Sequence, residues 1–341
     1  MRLYRLLLPL ALLLAFAVVG LGAYVRLSDA GLGCPDWPGC YGHLVGVPDQ
    51  AHEQAAAAEA FPGKPVEAHK AWKEMVHRYF AGTLGLFILA IAILGWRHRK
   101  ALGQSPALAT ALLLLVAFQA ALGMWTVTLL LKPVIVSAHL LGGMTTLALL
   151  LWLNLPRRIA PSAVAGPGLR LWGMLALAAV VVQIALGGWV SSNYAAVVCP
   201  DFPTCQGTWL PEMDFANAFH LRRELGQTAD GNLLSLAALT AIHWTHRLGA
   251  LVVTAIAGGL GLFLARRPAW KRWGLLLLVL LAVQISLGIA NVVLALPLGV
   301  AVAHNLGAAA LLTALVALNS RLWRAAADTS HAPIPSPWVS A

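Results

Sequence analysis

Four of the eleven histidines in this 341-residue sequence lie where an ionisable side chain is costly. His77, His139, His246 and His304 each sit in a run of apolar residues long enough to cross a bilayer, near one end of the run. An ionisable group inside a membrane span is a candidate functional residue, because the bilayer interior opposes its burial. A hydrogen bond to a neighbouring helix would explain one such histidine, but four in a repeated arrangement favour a binding role.

Each half of the chain carries two of these histidines, at similar depths in the predicted membrane. We expect the two helices that carry a pair to be antiparallel neighbours, so that their imidazoles face one another. Six-coordinate haem iron takes two such axial ligands, whereas zinc would need four ligands. Glycines close to the histidines would leave room for a flat ring. The sequence therefore predicts one haem site per half, formed by His77 with His139 and by His246 with His304.

The two halves differ three residues before the first histidine of each pair, where one has Glu74 and the other has His243. Residues three apart share a helix face, so Glu74 should face the site that His77 forms. A buried carboxylate is costly unless it is protonated or paired, which makes Glu74 a candidate catalytic residue. The alternative is a structural ion pair with Lys73, with Arg78 or with a base from a loop.

Arg78 and Arg247 directly follow the histidines His77 and His246. A guanidinium at this depth could bind the propionate groups of a haem. It could equally extend along the helix to reach a lipid phosphate, because long basic side chains place their charge at the interface.

All four cysteines lie in two polar loops, in the segments Cys34-Pro-Asp-Trp-Pro-Gly-Cys40 and Cys199-Pro-Asp-Phe-Pro-Thr-Cys205. In an oxidising compartment each pair can close locally, so we predict the disulfides Cys34–Cys40 and Cys199–Cys205. Both could be structural. A redox-active pair is the alternative, since disulfides in short exposed rings are more easily reduced.

The two cysteine segments mark an internal repeat. The offset of 165 residues that separates them also relates Gln119-Ala-Ala-Leu-Gly123 to Gln284-Ile-Ser-Leu-Gly288, and residues 138–142 to residues 303–307. An offset of 169 residues relates His77-Arg78 to His246-Arg247. The repeat predicts two tandem four-helix bundles in the same orientation, residues 1–160 and 161–341, related by an axis along the membrane normal.

The elements that must position these residues are membrane-spanning helices. The sequence is 60% hydrophobic and 11% charged, which excludes an ordinary soluble enzyme. Its net charge of +10 comes from short basic groups between apolar runs, which argues against nucleic-acid binding. We predict an all-α polytopic fold in which the first apolar run is retained as a helix. The eight spans lie near residues 4–26, 71–95, 106–130, 134–155, 169–191, 236–264, 273–294 and 299–320.

The distribution of charge predicts the orientation. With eight spans both termini lie on one side, and that side carries most of the basic residues with Asp328 as its single acidic residue. The positive-inside rule then places both termini in the cytoplasm and the loops at 27–70 and 192–235 outside.

The ordered set of Glu74-x-x-His77-Arg78, His139, His246-Arg247, His304 and the two Cys-Pro-Asp loops resembles the haem A synthase family, in its bacterial, four-cysteine type. The resemblance covers essentially the whole chain. It implies an enzyme that oxidises a methyl group of haem O to a formyl group, through the hydroxymethyl intermediate, to give haem A for terminal oxidases.

The resemblance also implies a division of roles between the halves. The second half would hold a permanent haem b through His246 and His304, and the first would hold the substrate haem O through His77 and His139. Glu74 would then be the catalytic carboxylate. In the family the first cysteine pair is linked to activity, and the second is structural.

The resemblance implies haem O synthase and an unidentified electron donor as partners in the bacterial plasma membrane, and it is compatible with a homo-oligomer. Two other classes fit parts of the pattern. A di-haem b-type membrane electron carrier explains the histidines but not the asymmetry between Glu74 and His243. A thiol-disulfide exporter or other transporter explains the cysteines but not the histidines.

Overall fold

A computed structural model describes residues 1–102, 105–155 and 165–327. The predicted boundary between the halves, at residues 160 and 161, lies outside the described residues, as does Asp328. Within the described part of the chain the regular structure is helical, and no strand is longer than an isolated bridge.

Eight helices of the described chain are long and apolar enough to cross a membrane, as the sequence predicts. Most extend a few residues beyond the predicted spans, because polar residues at the ends of an apolar run continue the helix. Their bounds are α1 Arg2–Leu27, α2 Ala68–Arg97, α3 Ala107–Thr128, α4 Pro133–Asn154, α5 Pro167–Ser192, α6 Leu236–Ala265, α7 Lys271–Val293 and α8 Leu298–Ala327.

The helices form two rings of four. In the first ring α1 packs on α2, α2 on α3, α3 on α4 and α4 on α1, and α5 to α8 repeat this order. The rings join where α1 meets α8, α4 meets α5 and α4 meets α8. The common core is aliphatic and includes Leu112, Leu147, Leu260 and Leu315, none of which is exposed.

Two hydrogen bonds between the rings join residues that occupy equivalent positions in the repeat. Arg26 donates to the carbonyl of Ser191 at 2.6 Å, and the Tyr194 hydroxyl donates to Asp29 at 3.1 Å, each across 165 residues. Within each ring an asparagine amide donates to a backbone carbonyl at 3.0 Å, from Asn154 to Leu8 and from Asn319 to Gly173.

The backbone shows the same offset. Eight described residues other than glycine have positive φ, a conformation that L-residues rarely adopt. They fall into four pairs 165 residues apart: Asp29 with Tyr194, Tyr41 with Gln206, Leu130 with Ala295 and Leu131 with Leu296.

The two polar loops connect the first two helices of each ring, and we call residues 28–67 the first cysteine loop and residues 193–235 the second cysteine loop. Both predicted disulfides are present, with Cα separations of 4.8 Å for Cys34–Cys40 and 4.6 Å for Cys199–Cys205. In the second loop the Asp201 carboxylate accepts from the Thr204 hydroxyl and from backbone N–H groups. These hydrogen bonds lower the pKa of Asp201 below its ordinary value.

Candidate functional site

The four intramembrane histidines lie against glycines of the preceding helix. Each imidazole packs where the glycine has no side chain, so a Cβ added to the glycine would come close to the ring carbon Cε1. The distances from that Cβ position to Cε1 are 3.0 Å for Gly22 and His77, 3.5 Å for Gly123 and His139, 3.1 Å for Gly187 and His246, and 3.1 Å for Gly288 and His304. The glycines therefore set how far each imidazole can extend from its own helix.

The structure brings the histidines together in the predicted pairs. His77 lies near His139, and His246 lies near His304. Each pair is therefore contained within one ring of helices.

The prediction that each pair sits on antiparallel neighbours is wrong. Two spans separate the start of α2 from the start of α4, so these helices run parallel, and so do α6 and α8. Among the described residues neither pair of helices packs extensively together, because each lies on a diagonal of its ring. The two histidines of each pair therefore come from opposite helices of one ring.

The unsatisfied polar atoms at these positions fit a ligand with two axial imidazoles. The Nδ1 atoms of four histidines are buried and have no hydrogen-bond partner, and three of these histidines, His77, His139 and His304, belong to the pairs, while the fourth is His243. Such atoms are rare in folded proteins and usually indicate a functional role or an additional group. Two imidazoles in one ring of helices, each packed on a glycine of the preceding helix, match the two axial ligands of haem iron.

Glu74 is held at the first cysteine loop. Its side chain is only 5% exposed, its Oε1 accepts from Arg78 Nη2 at 2.6 Å, and its Oε2 accepts from the backbone N–H of Cys34 at 3.0 Å. The structure contains the ion pair of Glu74 with Arg78, whereas Lys73 lies over the ring of Tyr24. The carboxylate is fixed less than one turn from His77.

The contact between Cys34 and Glu74 is one that the sequence did not reveal. It requires the loop to touch α2 closely at Gly33, where a Cβ would lie 2.6 Å from the backbone carbon of Lys70. The glycine was the only signal, and it identifies a close approach without identifying the partner.

Arg78 and Arg247 bind the cysteine loops. Arg78 donates to the backbone carbonyls of Asp36, Pro38 and Gly39 in the first cysteine loop. In the second cysteine loop Arg247 donates to the carbonyls of Cys199, Asp201 and Thr204 at 2.7 to 3.0 Å. The role of both arginines at haem propionates stays a prediction.

His243 takes the place of Glu74 as the acceptor in the second ring. It is 5% exposed, and its Nε2 accepts from Arg247 Nε at 3.3 Å. Each cysteine loop is thus held by an arginine that also binds the side chain four residues before it on the same helix, a carboxylate in one half and an imidazole in the other.

Comparison with known proteins agrees with this arrangement. The sequence model of the COX15-CtaA family, described as cytochrome oxidase assembly protein, matches residues 5–316. The chain belongs to this family. A relative from Shewanella oneidensis named "Heme A synthase" is 45% identical over 328 residues, which cover 95% of this chain and 98% of the relative.

Two more distant relatives carry the same name. The protein from Mesorhizobium japonicum is 31% identical, over 86% of this chain and 83% of its own. The protein from Methylobacterium radiotolerans is 30% identical, over 91% of this chain and 87% of its own. The similarity therefore spans both rings and both cysteine loops.

Proposed function

We propose that this chain is a haem A synthase, which oxidises one porphyrin methyl group of haem O to a formyl group through the hydroxymethyl intermediate. The observation that carries the proposal is the pairing of intramembrane histidines from opposite helices of each ring, with a fixed carboxylate beside only one pair. The names of the relatives, all "Heme A synthase", support the same reaction.

In this proposal the chain forms two tandem pseudo-symmetric bundles, at residues 1–160 and 161–341. The two bundles bind different haems. His77 and His139 hold the substrate haem O in the first, and His246 and His304 hold haem b in the second. A haem b bound there would supply one-electron transfer. The recurrence of contacts and of positive-φ residues at the 165-residue offset supports two equivalent sites.

Glu74 is the proposed catalytic carboxylate. The ion pair with Arg78 and the hydrogen bond from Cys34 hold its oxygens in place. A carboxylate positioned in this way can accept a proton released from the substrate methyl group, or stabilise positive charge that develops beside it. Arg78 has the positioning role, since it joins Glu74 to the first cysteine loop.

The chain is a multi-pass membrane protein, and we place it in the bacterial plasma membrane. Its termini lie in the cytoplasm and both cysteine loops lie outside, where an oxidising environment maintains the disulfides. Haem O synthase is the expected source of substrate, and an unidentified donor or acceptor exchanges electrons with the second ring.

The test is extraction and chromatography of haems from cells that express the chain, with and without a supply of haem O. Haem A should form only when haem O is supplied. Two tightly bound b haems without haem A would indicate an electron carrier, and a purified protein without haem would indicate the exporter class. Either result would overturn the proposal.

A further inference from the structure

Next to three of the four histidines, the helix that carries the histidine makes a second contact with the preceding helix. A glutamine of that helix fills the space over a glycine three residues after the histidine, and a Cβ on that glycine would overlap the glutamine side chain. The glutamine also lies four residues before the glycine that receives the imidazole. Each of these helix pairs therefore makes two contacts, one of the imidazole with a glycine and one of the glutamine with a glycine. The glutamines and the glycines they cover are Gln119 and Gly142, Gln183 and Gly249, and Gln284 and Gly307.

Two of the glutamine amides contact the imidazole itself. Gln183 Nε2 lies 3.1 Å from Nδ1 of His246 and donates to the backbone carbonyl of the same residue at 2.9 Å. Gln284 Nε2 lies 3.3 Å from Nε2 of His304. The two amides contact different ring nitrogens. Each restricts the rotation of its ring, and at His304 the amide leaves Nδ1 as the nitrogen without a partner.

Each glutamine also has unused hydrogen-bonding capacity. Gln119 Nε2, Gln183 Oε1 and Gln284 Oε1 are buried and have no partner. A buried amide with one free polar atom is costly when it serves only to pack two helices, because an apolar side chain would fill the same space. Its placement against a ligand-forming imidazole is better explained by a role in orienting that ring.

The pair α1 and α2 lacks this arrangement. Gly22 receives the imidazole of His77, so the register of the two helices matches that of the other pairs. Val18, however, stands four residues before Gly22, where the others have glutamine, and Phe80 stands three residues after His77, where the others have glycine. His77 is thus the one intramembrane histidine of the four without a glutamine beside it.

We propose that Gln119, Gln183 and Gln284 are positioning residues for axial histidines, and that His77, which lacks one, is the ligand that exchanges when substrate haem enters and product haem leaves. The proposal rests on the haem binding described under the proposed function. Two oriented axial ligands slow the dissociation of a permanent haem. A haem that must leave after each turnover needs one axial ligand that dissociates readily. Groups that orient a metal-binding histidine typically change metal affinity 10- to 100-fold.

The first experiment measures the rate at which haem b leaves the purified, haem-loaded protein to an excess of apomyoglobin. Gln183→Leu and Gln284→Leu should each release haem b about 10-fold faster. Asn319→Leu is the matched control, because it removes a buried amide that donates to a helix carbonyl at 3.0 Å without contacting a histidine. Its release rate should equal that of the unmodified protein.

Electron paramagnetic resonance of the oxidised haem separates orientation from packing. The g values of a low-spin ferric haem depend on the planes of its two axial imidazoles. They should shift in Gln183→Leu and Gln284→Leu and stay unchanged in Asn319→Leu. Unchanged g values and release rates in both glutamine variants, or equal changes in the control, would overturn the positioning role.

The second experiment builds the missing contact. Val18→Gln combined with Phe80→Gly should give His77 an oriented ring, so that more haem O or haem A stays with the protein during purification. Phe80→Gly alone is the control, and the haem b content of both variants reports on correct folding. Retention no greater than in the control, at normal haem b content, would overturn the assignment of His77 as the exchanging ligand.

Failure of this inference can be distinguished from failure of the proposed function. If the unmodified protein makes haem A while the glutamine variants release haem b at the normal rate, only the inference is wrong. If the unmodified protein makes no haem A from supplied haem O, the proposed function is wrong.

Discussion

Replacing Glu74 by glutamine tests whether its carboxylate is catalytic or structural. Glu74→Gln keeps the size of the side chain and an oxygen that can accept from Cys34, but it removes the charge that pairs with Arg78 at 2.6 Å. We expect haem O or its hydroxymethyl form to accumulate and haem A to be absent. The haem b content should be unaffected, because the proposal places haem b in the other ring, at His246 and His304.

The cost in stability should be modest. Removing one partner of a buried ion pair costs about 3 to 5 kcal/mol when it leaves the other charge unpaired. Here Arg78 keeps its three loop carbonyls, so the loss approaches that of one hydrogen bond to a charged group, about 1.5 to 3 kcal/mol. The first cysteine loop should stay closed, and maleimide labelling should find no free thiol at Cys34 or Cys40.

Arg78→Gln is the matched variant. It breaks the same ion pair and also weakens the contacts with three loop carbonyls, but it leaves the carboxylate. A structural role for Glu74 predicts that Arg78→Gln loses more haem A formation than Glu74→Gln, and a catalytic role predicts the reverse. Haem chromatography of both variants at equal protein level distinguishes the structural role of Glu74 from the catalytic role. Near-normal haem A from Glu74→Gln would refute the catalytic assignment outright.

Three further predictions concern single substitutions. His246→Ala should lower the reduced haem b absorbance of the purified protein, because it removes one of two axial ligands, and full retention would place the cofactor elsewhere. Cys34→Ala and Cys199→Ala should each lower thermal stability by about 2 to 3 kcal/mol. Cys34→Ala should reduce haem A formation more than Cys199→Ala does. Equal losses of activity would show that neither pair is redox-active. Gly22→Ala places a Cβ 3.0 Å from an imidazole carbon and should reduce the haem O that co-purifies, whereas Gly123→Ala, at 3.5 Å, should retain it; equal retention would contradict the glycine contacts.

The sequence predicted the spans because an apolar run of the right length has few alternatives in a bilayer. It also predicted both disulfides, since each cysteine pair is close in sequence within one polar loop. The pairing of the histidines as ligands stays a prediction. The sequence could not predict that α2 and α4 lie on a diagonal. Depth says nothing about which helices are neighbours in a ring, and that depends on packing over the whole bundle.

The contacts of Arg78 and Arg247 were missed for a related reason. Both bind backbone carbonyls of the cysteine loops, and a carbonyl has no residue type that a sequence can show. The glutamines carried a visible signal, since Gln119 and Gln284 marked the repeat, but the pattern identified equivalent positions rather than a function. Only the packing of each amide on a glycine beside a histidine connected them to the site.

The comparison of the two rings also bears on why Glu74 is a carboxylate. In the second ring Arg247 holds its loop with His243 as the side-chain acceptor, so holding a cysteine loop requires an acceptor but no negative charge. The ion pair of Glu74 with Arg78 therefore accounts for its position without accounting for its charge. A charge that the shared architecture does not need, placed less than one turn from His77, supports the proposal that the first ring carries out the chemistry.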